Sequence, residues 1–168
     1  LETALAECDA VVLIAGSSAG KKDYAVSAMQ ELGEVIAHGI AIRPGKPAIL
    51  AAATSPKQKD IIPVLGLPGY PVSGMLVMEQ LFKPVVDLLT GRMNVQSDHC
   101  QVEVSRRLTS SLKYREYIRA TLGRVRGKLV AVPLNRGAGV VSSMVKADGI
   151  IEVPQNVEGY EPGELVNV

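Results

Sequence analysis

The chain has 168 residues, a formal net charge of +1, 47% hydrophobic residues and only 4% aromatic residues, with no tryptophan. That apolar content supports a packed core, whereas no run approaches the ~18 apolar residues of a bilayer-crossing helix, so neither a membrane role nor one built on aromatic stacking is expected. Cys8 and Cys100 match no metal or redox spacing and point to buried or free thiols in a reducing cytoplasm.

The stretch LETALAE at 1–7 reads as a helix already under way, with no capping residue before it, which suggests a fragment of a longer chain. Apolar runs then alternate with helical segments: AVVLIAG, YAVSAMQELG, EVIAHGIAI, AILAAA, IIPVLGLPG and PVSGMLVMEQLFKPVVDLL. Short continuous apolar strands between helices predict an α/β layered domain over 1–92, with a largely parallel sheet buried on both faces. In the last helix Pro71 suits the first turn, whereas Pro84 should kink or restart it. From 93 to 168 the pattern changes to period-two strands, CQVEVSRRL, YREYIRATLGR, KLVAVPL, GIIEVP and ELVNV, punctuated by Arg126-Gly127, Asp148-Gly149 and Glu161-Pro162-Gly163. This predicts a small all-β, barrel-like domain.

Three turns in the first domain carry chemistry. In AGSSAGKKDY, between a buried strand and a helix, Gly16 and Gly20 permit close backbone approach, Ser17 and Ser18 offer hydroxyls, and the free N–H groups of a helix start favour anions. Asp23 is suited to hold a divalent cation beside a phosphate. The stretch also fits a tight turn with Ser and Asp as helix caps, and it is neither a dinucleotide fingerprint nor a P-loop. In IRPGKP, prolines stiffen the turn around Gly45 and Lys46, and Arg43 and Lys46 could clamp a pyrophosphate or oxyanion. In GLPGYPVSGM, Gly69 and Ser73 stand where a strand runs into a helix. Three such turns on one sheet predict a phosphate or oxyanion site beyond the carboxyl ends of its strands.

Charge is uneven: Arg106–Lys128 carries eight basic residues against one acid, Glu116, and Asp148–Glu164 carries five acids and no base. Such polarity marks a surface that meets an anion or another subunit. A nucleic-acid surface is disfavoured, because Tyr114 and Tyr117 are the only aromatics in the basic stretch and acids follow in the same domain. His38 and His99 lack partner clusters and read as structural or solvated.

Taken together, GSSAGKKDY, LGEVIAHGIAIRPGKP, GLPGYPVSGMLVMEQLFKPV and the tail GAGVVSSMVKADGIIEVPQNVEGYEPGELVNV resemble the molybdopterin molybdotransferase family, the molybdenum-insertion enzymes that include the E domain of gephyrin. The resemblance implies that 1–92 is the C-terminal half of a three-layer, pterin-binding molybdenum-cofactor domain and 93–168 the family's small β domain. It implies insertion of molybdenum or tungsten from the oxyanion into adenylylated molybdopterin, with magnesium-dependent release of AMP, by a cytoplasmic homodimer. Matched residue by residue, Asp23 becomes a catalytic residue and metal ligand, and Arg43 and Lys46 the catalytic cations, with arginine at 43 where lysine is common. Gly16, Ser17, Ser18, Gly20, Gly45, Gly69 and Ser73 become cofactor-binding residues, and Arg119 and Ser143 fall where the family places oxyanion contacts. The sequence departs from the family at GSSAG, usually GGVSxG, and at Tyr70, usually asparagine. A non-catalytic module that binds molybdopterin or molybdate is the competing reading.

Overall fold

The structure, a computed structural model, describes residues 1–14, 24–57, 59–92 and 99–168. The chain forms two compact units, one made of residues 1–40 and 45–95, the other of 41–44 and 96–168.

In the first unit the elements run α1 (Glu2–Glu7), β1 (Val11–Ile14), α2 (Tyr24–Leu32), β2 (Gly33–His38), then β4 (Ile49–Thr54) and β5 (Ile61–Leu67), with β3 (Ile42–Arg43) interposed in the chain but belonging to the other unit. Among the described residues the sheet order is β1-β5-β4-β2. Its orientation corrects the expectation of a largely parallel sheet: β1 pairs with β5 in parallel, but β4 runs antiparallel to both β5 and β2. Connection length is the reason, since a parallel crossover needs a dozen or more residues and β4 is tied to β5 by the short segment 55–60.

Strand alternation sends Ile62 and Val64 of β5 into a core with Leu5, Val11, Met29, Ile49 and Ala51, which seats α1 and α2 on one face. Leu65 and Leu67 alternate to the opposite face, where α3 (Pro71–Val77) packs against β5. Burial of Val72, Leu76 and Val77 anchors that helix at ~1.5–3 kcal/mol per side chain. The result is a layered α/β unit with helices on both faces. Pro71 occupies the first turn of α3 as its missing N–H allows. Pro84 acts as anticipated: a π-helical turn over Met78–Phe82 gives way to α4 (Lys83–Leu89), with the proline in its first turn.

The run EVIAHGIAI, expected as one strand, is divided. β2 ends at His38, and β3 leaves to pair in parallel with β8 (Arg115–Val125) of the second unit, Ile42 opposite Arg115 and Arg43 opposite Glu116. The second unit also contains β6 (Gln101–Val104), β7 (Leu108–Thr109), β9 (Lys128–Pro133), α5 (Ser142–Val145), β10 (Gly149–Val153), β11 (Gly159–Tyr160) and β12 (Leu165–Asn167). Its main sheet has the order β10-β8-β9-β6-β12, and β7 pairs separately with β11. The β8–β9 hairpin turns at Arg126-Gly127, whose φ values of 50° and 82° give the mirror-image turn that matches strand twist. Val102, Val104, Leu108, Ile118, Ala120, Ile151 and Val153 form its core.

The charge asymmetry is partly consumed within this unit. Arg107 pairs with Glu161 at 3.0 Å and Arg115 with Glu152 at 3.3 Å, so the acidic tail answers the basic stretch. Cys8 and Cys100 are exposed, unpaired thiols.

Candidate functional site

Gly16, Ser17, Ser18, Gly20 and Asp23, the glycine-rich turn, lie outside the described residues. The strand that precedes that turn in the chain and its parallel neighbour are described. Ile14 and Leu67 are register partners at the carboxyl ends of the parallel pair β1 and β5, and a groove of about 780 Å³ opens there. Pro68, Gly69, Met75, Met78 and Phe82 contribute to its lining. A Cβ added at Gly69 would meet none of the described residues within 4 Å. The groove wall is chiefly apolar, and its rim carries the Lys83–Asp87 pair at 2.9 Å, in which the carboxylate hydrogen bond and charge raise the lysine pKa. Ser73 is buried in the first turn of α3 and does not line the groove.

The IRPGKP turn is divided between the units. Gly45 and Lys46 stay with the first, where the Ile40 N–H donates to the Lys46 carbonyl at 2.8 Å and the Ala48 N–H to the Gly45 carbonyl at 3.1 Å; Lys46 itself is exposed. Arg43 goes with the second, its guanidinium 3.6 Å from the carboxylate of Glu116. Arg43 and Lys46 thus fall in different compact units.

The second unit contains the remaining two expected residues, Arg119 and Ser143. Arg119 lies in β8 at 2% exposure. Its Nη2 donates to the carbonyls of Asn135 at 2.8 Å and Gly137 at 3.3 Å, while Nε and Nη1 are buried without a partner among the described residues. Burial lowers the pKa of this guanidinium, and no described carboxylate is paired with it. A buried cation with unused donors is costly unless something anionic meets it. Ser143, buried in α5, donates its hydroxyl to the Val140 carbonyl at 2.6 Å.

Two functional candidates escaped the sequence reading. Glu116 is a carboxylate at 3% exposure, and Arg136 donates to it from Nη1 at 3.0 Å and to the Thr109 carbonyl from Nη2 at 2.7 Å. The available signal was Glu116's position as the lone acid among eight bases. Among the described residues no cluster of three carboxylate, imidazole or thiol side chains is placed to hold a metal ion, so these donors do not by themselves make a magnesium site. No described helix is long and apolar enough to cross a membrane.

Comparison with known proteins agrees with this two-part layout. The family model described as "Probable molybdopterin binding domain" matches residues 1–87, and that for the "MoeA C-terminal region (domain IV)" matches 101–168. A molybdopterin biosynthesis protein of Methanocaldococcus jannaschii is 36% identical over 169 residues, covering 100% of this chain and 38% of the relative. The molybdopterin molybdenumtransferase of Bacillus subtilis is 25% identical, again over 100% of this chain and 38% of its own length. Among solved structures, a molybdopterin biosynthesis MoeA protein from Pyrococcus horikosii superposes with a TM-score of 0.76 at 34% identity, over 99% of this chain and 38% of that one. The chain thus spans well under half the length of these relatives. With both of its parts matched in order, it belongs to the molybdopterin molybdotransferase family.

Proposed function

We propose that the protein acts in molybdenum cofactor biosynthesis, inserting molybdenum, or tungsten, from its oxyanion into adenylylated molybdopterin with release of AMP. The observation that carries this reading is Arg119, a buried guanidinium with two N–H-bearing nitrogens unpartnered among the described residues, in the unit that matches the MoeA C-terminal region. A tetrahedral oxyanion supplies the acceptors and the negative charge that this group lacks, and a desolvated cation holds such an ion far more strongly than a solvated one. The loop carbonyls of Asn135 and Gly137 fix the guanidinium in place before the anion arrives, so little ordering cost falls on binding. Ser143, in α5, is the second oxyanion contact in this reading, its hydroxyl turning from the Val140 carbonyl to the anion.

The first unit, matching the molybdopterin-binding model, supplies the apolar groove at the ends of β1 and β5 as the surface for the planar pterin, with Lys46 as a cation for the phosphates. Cleavage of a phosphoanhydride builds negative charge on the leaving AMP, and fixed cations stabilise it. Asp23 as magnesium ligand, the glycine-rich turn as phosphate cradle, the homodimer and the cytoplasmic location rest on the sequence resemblance. Magnesium, when bound, would supply further charge neutralisation at the phosphates.

The test is molybdate-dependent AMP release from adenylylated molybdopterin by the full-length protein, compared with Arg119→Met and Arg119→Lys. Loss of release in the Met variant with a native circular-dichroism spectrum and melting transition supports the reading. Release at the unaltered rate refutes it, and oxyanion binding without release by the unaltered protein would make it a carrier instead of a transferase.

A further inference from the structure

Arg119 is held by two backbone carbonyls, and those carbonyls belong to the residues on either side of Arg136. Arg136 is itself fixed by Glu116 and by the Thr109 carbonyl. The Leu134 N–H also donates to the Arg119 carbonyl at 2.8 Å, so residues 134–137 grip both the backbone and the side chain of Arg119. Glu116 lies three residues before Arg119 in β8, and strand alternation sends the two side chains to opposite faces. No hydrogen bond or ion pair among the described residues joins the two, and the loop is the link that the contacts provide. Its carboxylate has a second role, since Oε1 receives the Ser111 N–H at 3.4 Å and lies 3.6 Å from Arg43 of β3. One buried acid thus ties together β3, the 109–111 segment and the 134–137 loop.

We infer that Glu116 is a positioning residue for Arg119: through its ion pair with Arg136 it sets the Asn135 and Gly137 carbonyls that aim the buried guanidinium at an oxyanion. The inference rests on the proposed oxyanion role of Arg119. Neutralising Glu116 removes the charge that holds Arg136, the loop loses its fixed end, and the guanidinium gains alternative positions. Groups that orient the ligands of a metal ion contribute about 10- to 100-fold in affinity, and a residue that orients an anion-binding guanidinium acts by the same positioning.

The experiment is calorimetric titration of tungstate into the full-length protein and into Glu116→Gln, Glu116→Asp, Arg136→Met, Arg119→Met and the Glu116→Gln/Arg119→Met double variant. Glu116→Gln and Arg136→Met should each weaken tungstate binding on the order of tenfold, with Glu116→Asp retaining part of the affinity. In the double variant, Glu116→Gln should add nothing to the Arg119→Met loss. Hydrogen exchange at the Leu134 amide should quicken in Glu116→Gln. If Arg119→Met weakens binding but Glu116→Gln and Arg136→Met stay within twofold of the unaltered protein, the positioning role is wrong and the oxyanion reading stands. An equal loss from Glu116→Gln with or without Arg119 would show a general structural effect and overturn the inference. Unchanged binding in Arg119→Met would refute the oxyanion reading itself, and this inference with it. Arg136 is half-exposed, so Arg136→Met keeps the test decisive should Glu116→Gln fail to fold.

Discussion

Arg43 and Glu116 face each other across the parallel pair β3–β8, and the exposed guanidinium lies 3.6 Å from the buried carboxylate. This pair, the pairing of Ile42 with Arg115 and the Arg115 N–H donated to the Ala41 carbonyl at 2.9 Å join the 41–44 segment to the rest of the second unit. Because Arg43 is 63% exposed, solvent screening limits its contribution to stability to at most about 1 kcal/mol. Arg43→Ala should lower the urea midpoint of the protein slightly at low ionic strength and by less in 1 M salt. A loss independent of salt would show that the side chain acts by packing.

Arg43 shares Glu116 with Arg136, which makes the shorter contact of 3.0 Å and a further bond to the Thr109 carbonyl. Removing it by Arg136→Ala should cost about 1.5–3 kcal/mol, the range for hydrogen bonds to charged groups, and more than Arg43→Ala. Equal losses in parallel urea titrations would mean that the two arginines are interchangeable partners of Glu116.

Gly159 pairs with Thr109 in the small β7–β11 ribbon, at φ +126°, and a Cβ there would lie 1.8 Å from the Leu108 carbonyl oxygen. Gly159→Ala should therefore destabilise the protein by more than about 3 kcal/mol, through clash and backbone strain together. As a comparison, Ile151→Ala, at 0% exposure in the core of the same unit, should cost about 2–5 kcal/mol by cavity formation. A Gly159→Ala protein with an unaltered melting temperature would contradict this account of the ribbon.

Burial, and secondarily the charge of Glu152, raises the pKa of the Tyr117 and Tyr160 phenols. The folded protein therefore disfavours the phenolate more than the unfolded chain does. The sign follows: the stabilising contribution is intact below the unfolded value of about 10 and is lost as pH rises through the higher folded values. Urea midpoints should fall above about pH 10, and less steeply in a Tyr117→Phe/Tyr160→Phe variant. Parallel declines in the two proteins would remove these phenols from the effect.

Much of the fold was legible because local chemistry decides it. Pro71 and Pro84 mark where a helix starts and restarts, and Arg126-Gly127 fixes a tight hairpin. The direction of β4 was misread because apolar runs reveal burial and not orientation; the short 55–60 connection was the overlooked signal. The departure of β3 depends on pairing with a strand some 70 residues away, which no window around IRPGKP contains. Arg119 and Ser143 were reached by resemblance alone, since a lone arginine in a strand looks solvent-facing until the loop that covers it is known. Glu116 showed in the charge count but carried no motif, and its role arises only where β3, β8 and the 134–137 loop converge.

The central claim is that Arg119 receives an oxyanion. The most direct measurement is calorimetric titration of molybdate or tungstate into the full-length protein and its Arg119→Met variant, with folding of both verified by their melting transitions. Saturable binding is expected, weakened by at least about tenfold in the variant, as for removal of a charge-assisted bidentate contact. Equal affinity in the two proteins would contradict it and leave the buried guanidinium a structural group.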